Sequence, residues 1–158
     1  MTRITDYRRK GTSRLRAGRY TEANRIYHVI TSTQDRSPVF RSLQNGRLLV
    51  RAMRQEQESN HAITLAFVIM PDHLHWLLQL TGKRSLELCI NAVKSGSARE
   101  INRLSGRSGK LWQKGFYDRA IRYDDDLVAI ARYIVANPVR AGIVDSIRKY
   151  SLWDAQWI

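Results

Sequence analysis

A ferredoxin-like α+β sandwich, an antiparallel sheet with helices packed on it and an added C-terminal helix, is the fold class this sequence predicts. Three observations predict it. Strand-length, β-branched or apolar runs occupy Arg25–Thr33, Ala62–Met70 and His73–Leu80. Stripes of helical period separate and follow them, and Pro71-Asp72 makes a tight turn between the second and third runs. The resulting order of strand, helix, strand, strand, helix, strand is that of the ferredoxin-like sandwich. At 158 residues, 43% hydrophobic and with four Trp, seven Tyr and three Phe, the chain suffices for one domain with a real core.

Residues 1–24 read as a basic arm, in which Arg3, Arg8, Arg9, Lys10, Arg14, Arg16 and Arg19 alternate with Gly, Ser and Thr. Such a segment either orders on a polyanion or stays a solvated tail. Residues 25–158 read as a single domain. In its first strand His28 shares a face with Ile26 and Ile30, so it is read as a sheet residue rather than a ligand. Pro38 opens a helix whose apolar stripe is Val39, Phe40, Leu43, Leu48, Leu49, Ala52 and Met53; Gly46 weakens its middle, and Gln55–Glu58 end it. A second amphipathic helix begins at Ser85 and carries Leu86, Cys89, Ile90, Val93 and Ile101, with Lys94, Arg99 and Arg103 on its polar face. Leu111–Arg122 reads as an extended segment returning to the sheet. Asp124–Asp126 place negative charge at a helix start, and that helix runs through Leu127, Ile130 and Tyr133 until Asn137-Pro138 stops it. In the tail, Trp153 and Trp157 are expected to pack down as a cover.

Charge narrows the partners. There are 27 Lys+Arg against 14 Asp+Glu, a net charge of +13, and a field of that sign attracts phosphate-rich polymers or anionic surfaces. No apolar run approaches the roughly 20 residues of a membrane span, and the amino end lacks an apolar leader core, which places the chain in the cytoplasm. The single cysteine, Cys89, excludes an internal disulfide and a Cys-x-x-Cys metal site.

Chemistry concentrates at His73-Leu74-His75. On a strand the two imidazoles point the same way, with Cα atoms roughly 7 Å apart, and two imidazoles on one face can hold one divalent metal. A third ligand has to come from elsewhere. On the last helix Tyr133 and Asn137 stand four residues apart, on one face. If that face turns toward the histidines, Asn137 offers the metal an oxygen and Tyr133 a phenolic nucleophile beside it. Tyr117 is a second nucleophile candidate, ranked lower because it has no amide partner four residues on. A zinc hydrolase built on the His pair is disfavoured, because neither His28 nor His61 has a spacing that recommends it as the further ligand.

His73-Leu74-His75, preceded by Met70-Pro71-Asp72, resembles the histidine-hydrophobe-histidine motif of the HUH single-strand DNA endonucleases. Leu111–Arg122 and Ala131–Gly142 (Ala-Arg-Tyr-Ile-Val-Ala-Asn-Pro-Val-Arg-Ala-Gly) are similar to the signature blocks of the REP-associated tyrosine transposases, and the resemblance runs from Gly11 to the terminal tryptophans. It implies His73, His75 and Asn137 as ligands of a divalent metal, Mg²⁺ or Mn²⁺, and Tyr133 as nucleophile. One departure is Arg119, where many relatives carry a histidine; arginine can still clamp a phosphate.

The implied activity is metal-dependent cleavage and joining of single-stranded DNA folded as REP-type hairpins, through a 5′-phosphotyrosine intermediate. The implied state is a nucleoid-associated monomer. Without a P-loop the chain needs no nucleotide cofactor. Arg14, Arg16, Arg19, Lys83, Arg84, Arg119 and Arg122 are the expected phosphate contacts, with Trp112 as a stacking platform for unpaired bases. The alternative is a non-catalytic DNA-binding regulator that kept the fold.

Overall fold

In the computed structural model, residues 22–158 are described; most of the expected basic arm, with Arg14, Arg16 and Arg19, lies outside them. The elements are β1 (Ile26–Ser32), α1 (Leu43–Glu58), β2 (Ala62–Met70), β3 (His73–Leu80), α2 (Leu86–Ser105), β4 (Tyr117–Ala120), α3 (Leu127–Val135), α4 (Asn137–Arg140) and β5 (Trp153–Ala155). The antiparallel sheet has the order β4-β1-β3-β2-β5. Its first four strands reproduce the ferredoxin-like arrangement expected from the sequence.

Alternation of side chains divides β3 between two cores. Leu74, Trp76, Leu78 and Leu80 point to one face, where α1 and α2 bury them with Tyr27, Val29, Phe67, Ile69, Leu49, Met53, Ile90 and Ile101. Leu77 points to the other, where α3 covers it together with Leu65, Ala66, Val68 and Met70. Ser85 caps α2 by accepting a hydrogen bond from the Leu88 amide, and Gly106, at φ 63°, closes its C-terminus in the left-handed conformation. Among the described residues no helix is long and apolar enough to cross a membrane.

Several expectations need correction. The first long helix starts at Leu43 rather than Pro38: Val39–Arg41 form a separate 3₁₀ turn, the Phe40 amide donates to the Pro71 carbonyl, and the Ser42 hydroxyl caps α1 at Asn45. The extended segment after α2 contributes only the short strand β4 and a single bridge from Trp112 to Thr33. The tail does not simply cover the core, since Trp153 opens a fifth strand that pairs with the outer edge of β2, and Trp157 remains 40% exposed. Without β5 the outer edge of β2 would be open, and three residues of tail suffice to cap it.

Gly46, expected to weaken α1, has a packing reason: a Cβ there would collide with the side chain of Leu152. Gly46→Leu is expected to destabilise the fold by about 1–3 kcal/mol through overpacking. Gly46→Ala should cost less, because the flexible end of Leu152 can yield and alanine gains about 1 kcal/mol in helix propensity. Urea unfolding midpoints of the two variants check the ranking.

Candidate functional site

The site begins at the turn that the sequence marks with Pro71-Asp72. The Thr33 amide and hydroxyl both donate to the Asp72 carbonyl, at 2.9 and 3.1 Å, so the turn is tied to the end of β1. The β3 register then sets Ser32 and Met70 beside His73, and Ile30 and Val68 beside His75. Partners across an antiparallel ladder share a face. Both histidines therefore lie on the α3 side of the sheet, as their spacing predicts, with ring centroids 5.0 Å apart.

Each imidazole is held by its Nδ1. His73 Nδ1 donates to the Asp72 carboxylate at 2.7 Å, and Arg36 Nε donates to the other oxygen of that carboxylate at 2.9 Å. His75 Nδ1 lies 3.0 Å from His28 Nε2 on the neighbouring strand, and the two rings stack. With the Nδ1 positions engaged, the Nε2 positions are the ones presented to a ligand.

Burial lowers the His75 pKa well below the ordinary imidazole value, helped by His28, His73, Arg140 and Arg36; burial, then Arg119, lowers that of His28 to about 4. His73 is also lowered, by burial and by Arg36, although Asp72 pulls the other way. Burial would raise the Asp72 carboxyl, but the His73 hydrogen bond and the Arg36 charge hold it below its ordinary value. At neutral pH the pair therefore consists of two neutral imidazoles, the form a metal requires.

The other half of the arrangement stands on α3 and α4. Asp126 caps α3 at the Ala129 amide, and Ile130, Ala131, Ile134 and Val135 bury against β2 and β3. Where the sequence predicts one helix ending at Asn137-Pro138, the helix closes at Val135 and a new turn opens at Asn137. Pro138 has no amide to give the Ile134 carbonyl, and Asn137 Nδ2 donates to that carbonyl instead, at 2.8 Å. The side-chain amide is thereby oriented, with its Oδ1 turned away as an acceptor. Tyr133 is half-buried, and the Arg140 guanidinium lies over its ring, 3.6 Å from the centroid.

Other expected contacts fall elsewhere. Trp112 is 6% exposed, packs on Phe40 and donates to Ser97 Oγ, so it is a core residue and not a stacking platform. Lys83 and Arg84 follow the far end of β3, roughly 24 Å along the strand from His73, and Arg84 is committed to the buried carboxylate of Glu56 at 2.9 Å. Arg119 pairs with His28 in the register of β1 and β4, on the site's face, and reaches Asp125 at 3.4 Å; Arg122 follows β4, its amide bonded to the same carboxylate. Tyr117, 47% exposed, lies on that face too, one strand beyond Ile30.

Four residues of the site escaped the sequence reading: His28, Asp72, Arg36 and Arg140. The alternation that gave His28 a face shared with Ile26 and Ile30 was correct, but only the register places it against His75. Asp35 and Arg36 both adopt left-handed backbone, at φ 54° and 53°, a strained turn that aims Arg36 at Asp72 and that no glycine or proline announces.

Among the described residues no three His, Cys, Asp or Glu side chains form a group able to hold a metal. Two neutral imidazoles with oriented Nε2 atoms still fit a divalent cation whose remaining ligands are oxygens, from an amide and a phosphate. Linkage gives the pH sense. An unfolded-chain histidine takes up a proton near pH 6.5, whereas folded His28 does so only near 4, so the unfolded state binds more protons between those values. The His28 contribution to stability should therefore fall by about 3 kcal/mol as pH drops from 6.5 to 4, and the lowered His73 and His75 add losses of the same sign. Urea titrations across that window should show the loss, reduced in His28→Gln.

Comparison with known proteins bears on the family and the fold. Residues 21–137 match the family described as "Transposase IS200 like". A Haemophilus influenzae protein named as a REP-associated tyrosine transposase is 31% identical over 109 residues, 63% of this chain, and the chain spans 62% of that relative's length. Among solved structures, a REP-associated tyrosine transposase bound to a REP hairpin superposes with a TM-score of 0.67 at 21% identity, covering 95% of this chain and 82% of that one. A transposase from Deinococcus radiodurans gives 0.54 at 22%, covering 80% and 95%. With the family match spanning most of the described fold and ending at Asn137 itself, the chain belongs to the IS200-like transposases.

Proposed function

We propose that this protein is a metal-dependent endonuclease and strand transferase for single-stranded DNA flanking REP-type hairpins, with Tyr133 as nucleophile and His73, His75 and Asn137 as metal ligands. The observation that carries the reading is Arg140. It lies over the Tyr133 ring and is also among the charges that lower the His75 pKa, which supports reading the phenol and the histidine pair as one site.

The residues then divide the work. His73 and His75, kept neutral by burial and oriented through Asp72 and His28, hold Mg²⁺ or Mn²⁺ together with the Asn137 Oδ1. When bound, the cation supplies Lewis-acid polarisation of the scissile phosphate. Tyr133 gives up its proton to solvent water and attacks phosphorus in line; the new phosphotyrosine bond forms as the bond to the 3′-oxygen breaks, and that oxygen takes a proton from water and leaves as a 3′-hydroxyl. Because the phosphodiester's energy is kept in the phosphotyrosine, another 3′-hydroxyl can reverse the step without a nucleotide cofactor. Arg119 and Arg122, beside the same face, are phosphate contacts of the flank, and one chain acts in cis as a monomer, associated with the nucleoid.

Incubation of the protein with labelled hairpin DNA carrying an unpaired flank should give, in Mg²⁺ or Mn²⁺, a covalent adduct on a denaturing gel that chelator abolishes. Tyr133→Phe should lower adduct formation by at least about 10³-fold. Persistence of the adduct in that variant would transfer the role to Tyr117, and binding without an adduct on any flank would favour the non-catalytic regulator. Arg140→Ala should slow the adduct-forming step by about fivefold to tenfold at saturating DNA, the worth of the cation–π interaction and of tight orientation, with the dissociation constant changed less than the rate.

A further inference from the structure

On the opposite face of the sheet from the histidines, α1 and the C-terminal strand enclose an open groove of about 730 Å³. Its α1 wall carries Arg47, Arg51 and Arg54. Residues four and three apart on a helix lie on one stripe, so the three guanidiniums line up along the groove over about 10 Å. The facing wall is Thr64, Ser151, Asp154 and Gln156 at the β2 and β5 edge.

Charge in this groove is not compensated. All three arginines are exposed, and none lies within 4 Å of a carboxylate among the described residues, whereas Arg25, Arg36, Arg84, Arg103 and Arg119 each have one. The lone carboxylate of the groove, Asp154, accepts from the Ala155 amide of its own strand. Arg51 acts at longer range on Glu100 of α2, itself bonded to Arg103.

We propose that this groove binds the paired stem of the DNA through its phosphates, while the unpaired flank occupies the histidine face. The reading rests on the DNA-processing function proposed above. Three features favour a duplex over an unpaired strand. The arginine row spans about 10 Å, or about three base-pair rises at 3.4 Å each, so its two ends reach phosphates about three base pairs apart on one strand of a stem. The polar lining, Gln57, Thr64, Ser151 and Gln156, suits phosphate and sugar contacts. No exposed aromatic face is offered for bases to stack on: Phe67 is buried, and Trp153 donates its indole N–H to the Ile147 carbonyl and packs toward α3.

The test is the triple variant Arg47→Gln/Arg51→Gln/Arg54→Gln, all exposed helix positions where glutamine keeps the helix. Binding is measured by fluorescence anisotropy from 50 to 200 mM salt, against a hairpin with an unpaired flank and against the flank alone. The expected result is a hairpin affinity about 10- to 100-fold weaker, with the slope of log K against log salt reduced by about 3, one for each phosphate that an arginine no longer neutralises. The flank alone should bind as before, and circular dichroism should show the fold retained. An unchanged hairpin slope would overturn the proposal, and so would an equal loss for the flank alone, which would assign the arginines to the general field of the protein. Covalent adduct formation at saturating hairpin is followed in parallel: its absence in the parent protein would sink the catalytic reading and leave the stem result standing, whereas a normal adduct with an unchanged slope would sink only the groove.

Discussion

Everything at the site depends on the register of β3. This strand is covered by helices on both faces, with Leu74, Trp76, Leu78 and Leu80 on one side and His73, His75 and Leu77 on the other. A slip of one residue would exchange the faces, driving two imidazoles among the apolar side chains beneath α1 and α2 and turning Trp76 toward α3. The large apolar face therefore stabilises the fold and the placement of the histidines at once. His28 is locked by the same ladder, so its hydrogen bond to His75 follows from pairing rather than from any local preference.

Polar groups around the histidines then act in series. Arg36 holds Asp72, Asp72 holds His73, and His28 holds His75. A half-buried pair of imidazoles without such partners would rotate or take up protons. Here burial opposes protonation, and the hydrogen bonds select the ring face presented. The strained turn at Asp35 and Arg36 fits this scheme, since a conformation unfavourable by itself persists only where surrounding bonds over-determine it.

A proline organises the other half. Pro138 interrupts the backbone ladder after α3, and Asn137 completes it with its side chain. That substitution orients the amide and lets the chain continue through one more turn, which brings Arg140 back over Tyr133. The tail following this turn pairs with the free edge of β2 and, with Leu152 against Gly46, closes one end of the α1 core. The same tail forms one wall of the arginine groove on the α1 side, while Trp153 and Ala155 pack toward α3, so the end of the chain shapes both faces of the sheet.

Much of this was legible in the amino-acid order. Alternation located β2 and β3 to the residue and helical period placed the start of α2 within one residue, Pro71-Asp72 located the turn, and the spacing of His73 and His75 placed them on one face, because side-chain periodicity is a local property. Tyr133 and Asn137 were legible as a pair four apart, although the break between their helices was not. What needed the tertiary structure were relations between distant segments. Trp112 and Arg84 look like DNA contacts in a basic sequence, yet one is spent on the core and the other on a buried carboxylate. Three residues of tail are too short to announce β5. The partnership of His28 with His75, 47 positions apart, arises only when the sheet fixes which strands are neighbours, and no local pattern encodes that choice.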